Sequence, residues 1–223
     1  MDSNTIPERR RTSLPAAGHD WALPLYDPLV MLIGGDPTRS VLVDRAAIRP
    51  GDRVLEIGCG TGSLLLRIKR RHPDAEVVGL DPDPKALARA SQKAARAAVA
   101  IQLDEGFADD LPYPDASFDR VFSSFMLHHL PDDEKARALR EARRVLRPRG
   151  SLHLLDFAGA HARAADFLAR RGHSPRRSRG DADDRVLALM SEAGFADARR
   201  VGRGALLFGL LGIGYYQAAV PGR

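Results

Sequence analysis

Apolar positions along the chain change their spacing in a regular way. Runs of five or six residues with strand character alternate with longer segments in which apolar residues recur at helical intervals. Strands are predicted at Arg53–Ile57, Glu76–Leu80, Val99–Leu103, Phe118–Ser123 and Ser151–Asp156. Helices are predicted between them at Gly62–Arg71, Pro84–Ala98 and Asp132–Leu146, with Asp83 as a cap for the second. A long loop, Asp104–Ser117, follows the third strand. Ahead of this alternation, Trp21–Ile33 reads as an apolar helix, and Asp36-Pro37 opens another that runs to Ile48. Beyond it, the stretch from Gly159 to Gly180 breaks the pattern. A helix at Asp181–Ala193, ended by Gly194, and strands near Ala198–Val201 and Ile213–Ala219 complete the set.

Strands alternating with helices at this spacing imply a parallel sheet covered on both faces. Right-handed crossovers and a glycine-rich turn after the first strand give the fold class: α/β, a Rossmann-like doubly wound, mostly parallel seven-stranded sheet. The expected organisation is one domain over residues 21–223 behind a mobile tail, residues 1–20. Residues 21–50 would form a helical cover, and 157–181 an arginine-rich excursion or lid.

Charge alters this picture less than it first suggests. A net charge of +5 and a pI near 9.8 point towards nucleic acid, because clustered cations release counterions from phosphates. Yet the only lysines are Lys69, Lys85, Lys93 and Lys135, and the remaining basicity is arginine in an alanine-rich chain. That is a broad compositional bias, so nucleic acid is not the expected partner. The single cysteine, Cys59, excludes an intramolecular disulfide framework and fits a reducing compartment. The first twenty residues lack an apolar signal core. The apolar stretch Ala205–Val220 is shorter than the roughly 20 residues of a spanning helix. A cytoplasmic protein without a membrane span is expected.

The chemistry concentrates in VLEIGCGTGSLLLRI, Val54 to Ile68. A phosphate-binding P-loop needs lysine and a hydroxyl residue after its last glycine, whereas Ser63-Leu64 follows Gly62 here. A dinucleotide site wants G-x-G-x-x-G, and Gly58-Cys59-Gly60-Thr61-Gly62 is one residue tighter. Glu56, two positions before the first glycine, would face a diphosphate with like charge at short range. It suits a ligand with cationic centres, as the ammonium and sulfonium of S-adenosylmethionine are. Asp81, at the end of the second strand, is placed to accept ribose hydroxyls, a role common to both nucleotide classes.

Five segments occur in an order that resembles the class I S-adenosylmethionine-dependent methyltransferases, nearest the branch of ubiquinone/menaquinone-biosynthesis enzymes. They are VLEIGCGTG (54–62), VVGLDPDP (77–84), ADDLPYPDASFDRV (108–121), SSFMLHHL (123–130) and RVLRPRG (144–150). The resemblance covers the chain from Tyr26 to Phe195. It implies S-adenosylmethionine as cofactor and a small-molecule methyl acceptor. The turn Gly58, Cys59, Gly60 and Gly62 would leave room for the methionine moiety, with Glu56 beside it. Asp81 and Pro82 would lie at the ribose; Phe107, Ala108 and Asp109 at the adenine; Ser123 and Ser124 beside the methionine. Tyr26 would belong to an N-terminal helix over the cofactor. One departure is Gly106-Phe107-Ala108, where family members often carry Gly-Asp-Ala, so Asp109 or Asp110 would have to replace the missing acid.

His128-His129 are the candidate catalytic residues, as pocket lining or a general base. Adjacent residues on a helix do not share a face, so one is expected in the cleft and the other turned away. No histidine has a partner at metal-ligand spacing, and no metal is expected. Cys59 has no activating neighbour in sequence and reads as a small turn residue. The cluster Arg170–Arg179 is a solvated loop or a clamp for an acidic substrate. Two further readings stay open: a methyltransferase acting on RNA or protein, and a non-catalytic cofactor-binding module.

Overall fold

A computed structural model describes residues 35–158, 181–207 and 210–222. The expectations for the tail, for Trp21–Ile33 with Tyr26, and for the arginine-rich stretch from 159 to 180 lie outside these residues. The described elements are α1 (Gly35–Arg45), β1 (Arg53–Ile57), α2 (Ser63–Arg71), β2 (Glu76–Asp81), α3 (Pro84–Arg96) and β3 (Gln102–Glu105). They continue with β4 (Phe118–Ser124), a single 3-10 turn (Leu127–His129), α4 (Asp132–Val145), β5 (Leu146–Phe157), α5 (Asp181–Glu192), β6 (Ala196–Leu206) and β7 (Leu211–Ala219).

The seven strands form one sheet in the order β3-β2-β1-β4-β5-β7-β6. β1 to β5 are parallel, and β7 enters antiparallel between β5 and β6. The order reverses between β1 and β4, which opens a crevice at their carboxyl ends. β1 has the expected limits, and the other strands differ from the sequence expectation, β6 most of all, at Ala196–Leu206 rather than Ala198–Val201. β3 begins at Gln102 rather than Val99, because the Val99 backbone N–H still bonds back to Ala94 at the end of α3. β5 begins at Leu146 rather than Ser151, since Leu146 pairs with Phe118 before a bulge ahead of the Arg120–Ser151 pair.

Strand alternation fills both faces. Leu55 and Ile57 of β1, Val78 and Leu80 of β2 and Val121 of β4 pack with Leu139, Ala142 and Val145 of α4. Val54, Val77 and Phe122 point the other way, against Leu42 of α1 and Leu64, Leu65 and Ile68 of α2. Each such fully buried side chain contributes about 1.5–3 kcal/mol relative to exposure. α3 lies close to its neighbours on the small stripe Ala86, Ala90 and Ala94, and Asp83 caps it through the Lys85 N–H at 2.9 Å. Glu56 shares the parity of Val54, so its side chain projects under α1 and α2.

Candidate functional site

The turn after β1 is closed on itself. The Gly58 and Cys59 N–H groups donate to the Leu80 carbonyl at 2.8 and 3.0 Å, and the Gly62 N–H to the Cys59 carbonyl at 2.9 Å. The Gly60 N–H donates to Asp81 Oδ2 at 2.7 Å. Phosphate cradles work by presenting unspent backbone N–H groups, and these four are spent. Gly58 (φ +71°) leaves no room for a side chain, since a Cβ there would lie 2.3 Å from Met126 Cγ. Gly60 (φ +51°) is different, because a Cβ there would meet nothing within 4 Å and would project into open crevice. Cys59 is buried in the turn, and burial pushes its thiol well above the usual range.

Asp81 ends β2 and accepts two backbone donors, Gly60 on Oδ2 and Asp83 on Oδ1 at 3.0 Å. Burial still raises its pKa above the ordinary carboxylate value against those two donors. Pro82, half-buried, follows it at the crevice edge.

Glu56 is 2% exposed, and its Oε2 has no hydrogen-bond partner. Burial raises its pKa to about 8, opposed chiefly by the field of Arg39. Arg39, on α1, is itself buried and donates from Nε to Ser124 Oγ at 3.2 Å. Ser123, at the end of β4, is buried with an unpartnered Oγ. The corner therefore holds an orphaned carboxylate oxygen, an orphaned hydroxyl and a buried guanidinium near the open space above Gly60. A zwitterion of amino-acid type fits it: ammonium against Glu56, carboxylate towards Arg39. A diphosphate does not.

The loop from 106 to 117 borders the other side. Phe107, Ala108 and Asp109 are half-buried in it, and Phe107 pairs by a bridge with Asp110. The Asp109 carboxylate is engaged with Arg137 Nε at 3.1 Å. α4 pins the loop: Arg144 donates to the Leu111 and Tyr113 carbonyls at 3.0 and 2.7 Å, and Glu141 accepts the Leu111 N–H at 2.9 Å.

At the far end of β4, the backbone turns sharply. Phe125 takes a left-handed conformation (φ +55°), rare for a bulky residue, and the 3-10 turn follows. His128 Nδ1 lies 2.6 Å from Asp156 Oδ1, and the His128 backbone N–H donates to Asp156 Oδ2 at 3.0 Å. The two histidines do not diverge as helix geometry predicts. In the tight turn their ring centroids are 3.9 Å apart, and the His128 ring meets Phe157 edge-on at 4.8 Å. His129 opens to solvent on one side, while desolvation on the other, with His128 adding to it, pushes its pKa down to about 4. Phe125 and Phe157 form an aromatic wall with centroids 5.3 Å apart.

The structure thus gathers Glu56, Gly58, Gly60, Gly62, Asp81, Ser123, Ser124 and His128 at one end of the sheet. Sequence reasoning missed Arg39 and Asp156. Arg39 carried no local signal. Asp156 did, since it closes a predicted parallel strand, where crevice residues lie.

The family model described as a methyltransferase domain matches residues 54–150. A 27-O-demethylrifamycin SV methyltransferase from Amycolatopsis mediterranei is 43% identical over 122 residues, 52% of this chain and 44% of that protein. A demethylmenaquinone methyltransferase from Thermus thermophilus is 42% identical over 137 residues, 60% of this chain and 61% of that protein. The chain therefore spans about half the length of the relatives it matches. Among solved structures, a SAM-dependent methyltransferase from Aquifex aeolicus superposes with a TM-score of 0.64 at 19% identity, covering 90% of this chain and 97% of that one. Among the described residues, no helix is long and apolar enough to cross a membrane.

Proposed function

From a chain whose residues 54–150 match the model of a methyltransferase domain, we propose that the protein transfers a methyl group from S-adenosylmethionine to a small-molecule acceptor. The observation that carries this reading is the buried Glu56 carboxylate with its unpartnered Oε2, next to a turn in which the N–H groups of Gly58, Cys59, Gly60 and Gly62 are already bonded. A cationic, phosphate-free adenosyl donor answers both features.

When bound, the sulfonium supplies an electrophilic methyl on a neutral leaving group. The residues of this chain bind, orient and exclude water. Glu56 would take the ammonium, Arg39 the carboxylate, and Asp81 the ribose hydroxyls through the lone pairs left by its two backbone donors. The open space above Gly60 lets the ligand approach the backbone closely. Phe107 and Ala108 would border the adenine, and the Arg144 clamp would keep that wall in place. The protein's largest contribution is alignment of donor carbon and acceptor at about 3–3.5 Å in a dry cavity.

Titration with S-adenosylmethionine in a calorimeter tests the reading. Micromolar binding that Glu56→Ala weakens at least tenfold supports it. Absence of binding removes it.

A further inference from the structure

We propose that the acceptor is an aryl hydroxyl, and that His128 removes its proton through Nε2 while Asp156 positions the ring. This rests on the methyl-transfer reading above and deepens it.

The pair is built rather than incidental. Asp156 Oδ1 lies 2.6 Å from His128 Nδ1, and Asp156 Oδ2 accepts the backbone N–H of the same histidine at 3.0 Å. One carboxylate thus fixes both the ring and the backbone that carries it. Both side chains are nearly buried, at 11% and 6% exposure. A carboxylate against Nδ1 can only accept, so the proton of the neutral imidazole stays on Nδ1. Nε2 keeps its lone pair. That is the tautomer a base needs.

Location makes the lone pair useful. Asp156 is one residue beyond Leu155, which pairs with Ser124 at the carboxyl end of β4. Met126, two residues before His128, packs against Gly58 of the turn. The dyad therefore stands beside the methionine end of the donor crevice. Nothing in methyl donation itself needs a base there, so the base belongs to the acceptor.

Acceptor class follows from acidity and from the walls. An amine acceptor needs only to lose a proton to solvent before binding, whereas a neutral hydroxyl must lose one as it reacts. A phenol, with pKa near 10 as in tyrosine, is about three and a half pH units from an ordinary imidazole, the closest match among neutral hydroxyl acceptors. The rings of Phe157 and His129 pack on His128, and Phe125 extends this wall through Phe157, which suits a flat aromatic acceptor. In the step, the hydroxyl proton passes to His128 Nε2. An oxygen lone pair forms the new O–CH3 bond as the C–S bond breaks, its electron pair staying on sulfur. The imidazolium then loses its proton to water.

Two measurements test this. Long-range proton–nitrogen correlation spectra of 15N-histidine-labelled protein should show an Nδ1-protonated neutral tautomer that His128→Gln removes. Asp156→Asn should shift it to the Nε2-protonated form. A predominantly Nε2-protonated His128 in the wild type overturns the proposal. The second uses a panel of phenols and naphthols beside arylamines and thiols, with methyl-labelled S-adenosylmethionine. Label is expected in phenolic ethers. Asp156→Asn should lower kcat about 10²–10⁴-fold on weakly acidic phenols, and far less on a nitrophenol already ionised at the assay pH. An equal loss on both marks a merely structural role and overturns the proposal, as does labelling of amines or thiols alone, or no labelling of any hydroxyl compound. S-adenosylmethionine binding by calorimetry separates the two levels. Loss of that binding in the wild type sinks the methyl-transfer reading, whereas intact binding without phenol methylation sinks this inference alone.

Discussion

Asp81 Oδ2 accepts the backbone N–H of Gly60 at 2.7 Å, joining the end of β2 to the turn that follows β1. The bond ties together two elements that share no sequence neighbourhood. It also consumes a donor that a phosphate would otherwise claim. The carboxylate proposed to hold a ribose is thus the one that shapes the turn above it.

Replacing Asp81 by Asn should therefore act on the ligand and the turn together. An amide brings an N–H2 group against one of the two backbone donors, Gly60 or Asp83. Losing a charge-assisted bond costs about 1.5–3 kcal/mol, so affinity for S-adenosylmethionine should fall tenfold or more. Calorimetry reads it, and unchanged affinity contradicts the assignment.

The two glycines of the turn should fail in different ways. Gly58→Ala drives a methyl into Met126, at 2.3 Å from its Cγ, and should lower the melting temperature sharply. Gly60→Ala meets open space and should cost only about 1 kcal/mol of backbone strain. Its loss should appear in cofactor affinity. Thermal unfolding with and without ligand separates them, and equal thermal penalties would argue against a ligand above Gly60.

Glu56 makes a pH prediction whose sign is fixed by its direction of shift. Burial raises its folded pKa from 4.5 to about 8. The stability it contributes is thus fully present below pH 4.5 and is lost as pH rises through about 8. The ligand-free protein should lose melting temperature over this range, and Glu56→Gln should flatten the loss. A cationic ligand favours the ionised form, so binding near neutral pH should release a proton from wild type and not from Glu56→Gln. Titrations in two buffers of different ionisation heat measure the release; no release at neutral pH contradicts the ammonium partner.

The limits of β1 and the cap at Asp83 were legible because local patterns dictate them: a short apolar run, then glycine, and Asp before Pro at a helix start. Seven strands and the mostly parallel sheet followed from alternation. The start of β5 was not, since its pairing across the bulge depends on Phe118, far away in sequence. The site was legible where one motif builds it, as at Gly58–Gly62. Arg39 reaches Ser124 across 85 positions, and His128 reaches Asp156 across 28. Such pairs exist only once the sheet is ordered, so no spacing rule reveals them. The ring contact of His128 with His129 was missed because a 3-10 turn, not an α-helix, follows β4.

Arg39 should discriminate between ligands by their amino-acid end. Arg39→Gln should weaken S-adenosylmethionine about tenfold while leaving 5′-methylthioadenosine, which lacks that end, within twofold. Charge-assisted bonds of this type are worth about 1.5–3 kcal/mol. Competition binding with both nucleosides checks it, and parallel losses would assign Arg39 to the α1–β4 packing instead.

Arg144 should link loop order to cofactor affinity. Its guanidinium meets the Leu111 and Tyr113 carbonyls, Asp115 and Glu141, and removing it leaves that loop without its clamp. Arg144→Ala should cost about 1–3 kcal/mol of stability and weaken adenosine binding several-fold. Hydrogen exchange of residues 106–113 should accelerate in this variant. Unaltered exchange would show that the loop is held by its buried Leu111 and Tyr113 alone.

The most direct measurement is a paired titration of the purified protein with S-adenosylmethionine and with NAD under the same conditions. An uncovered carboxylate beside a turn in which the Gly58, Cys59, Gly60 and Gly62 N–H groups are already bonded predicts saturable micromolar binding of the sulfonium nucleoside and none of the dinucleotide. Comparable or tighter binding of NAD would contradict it.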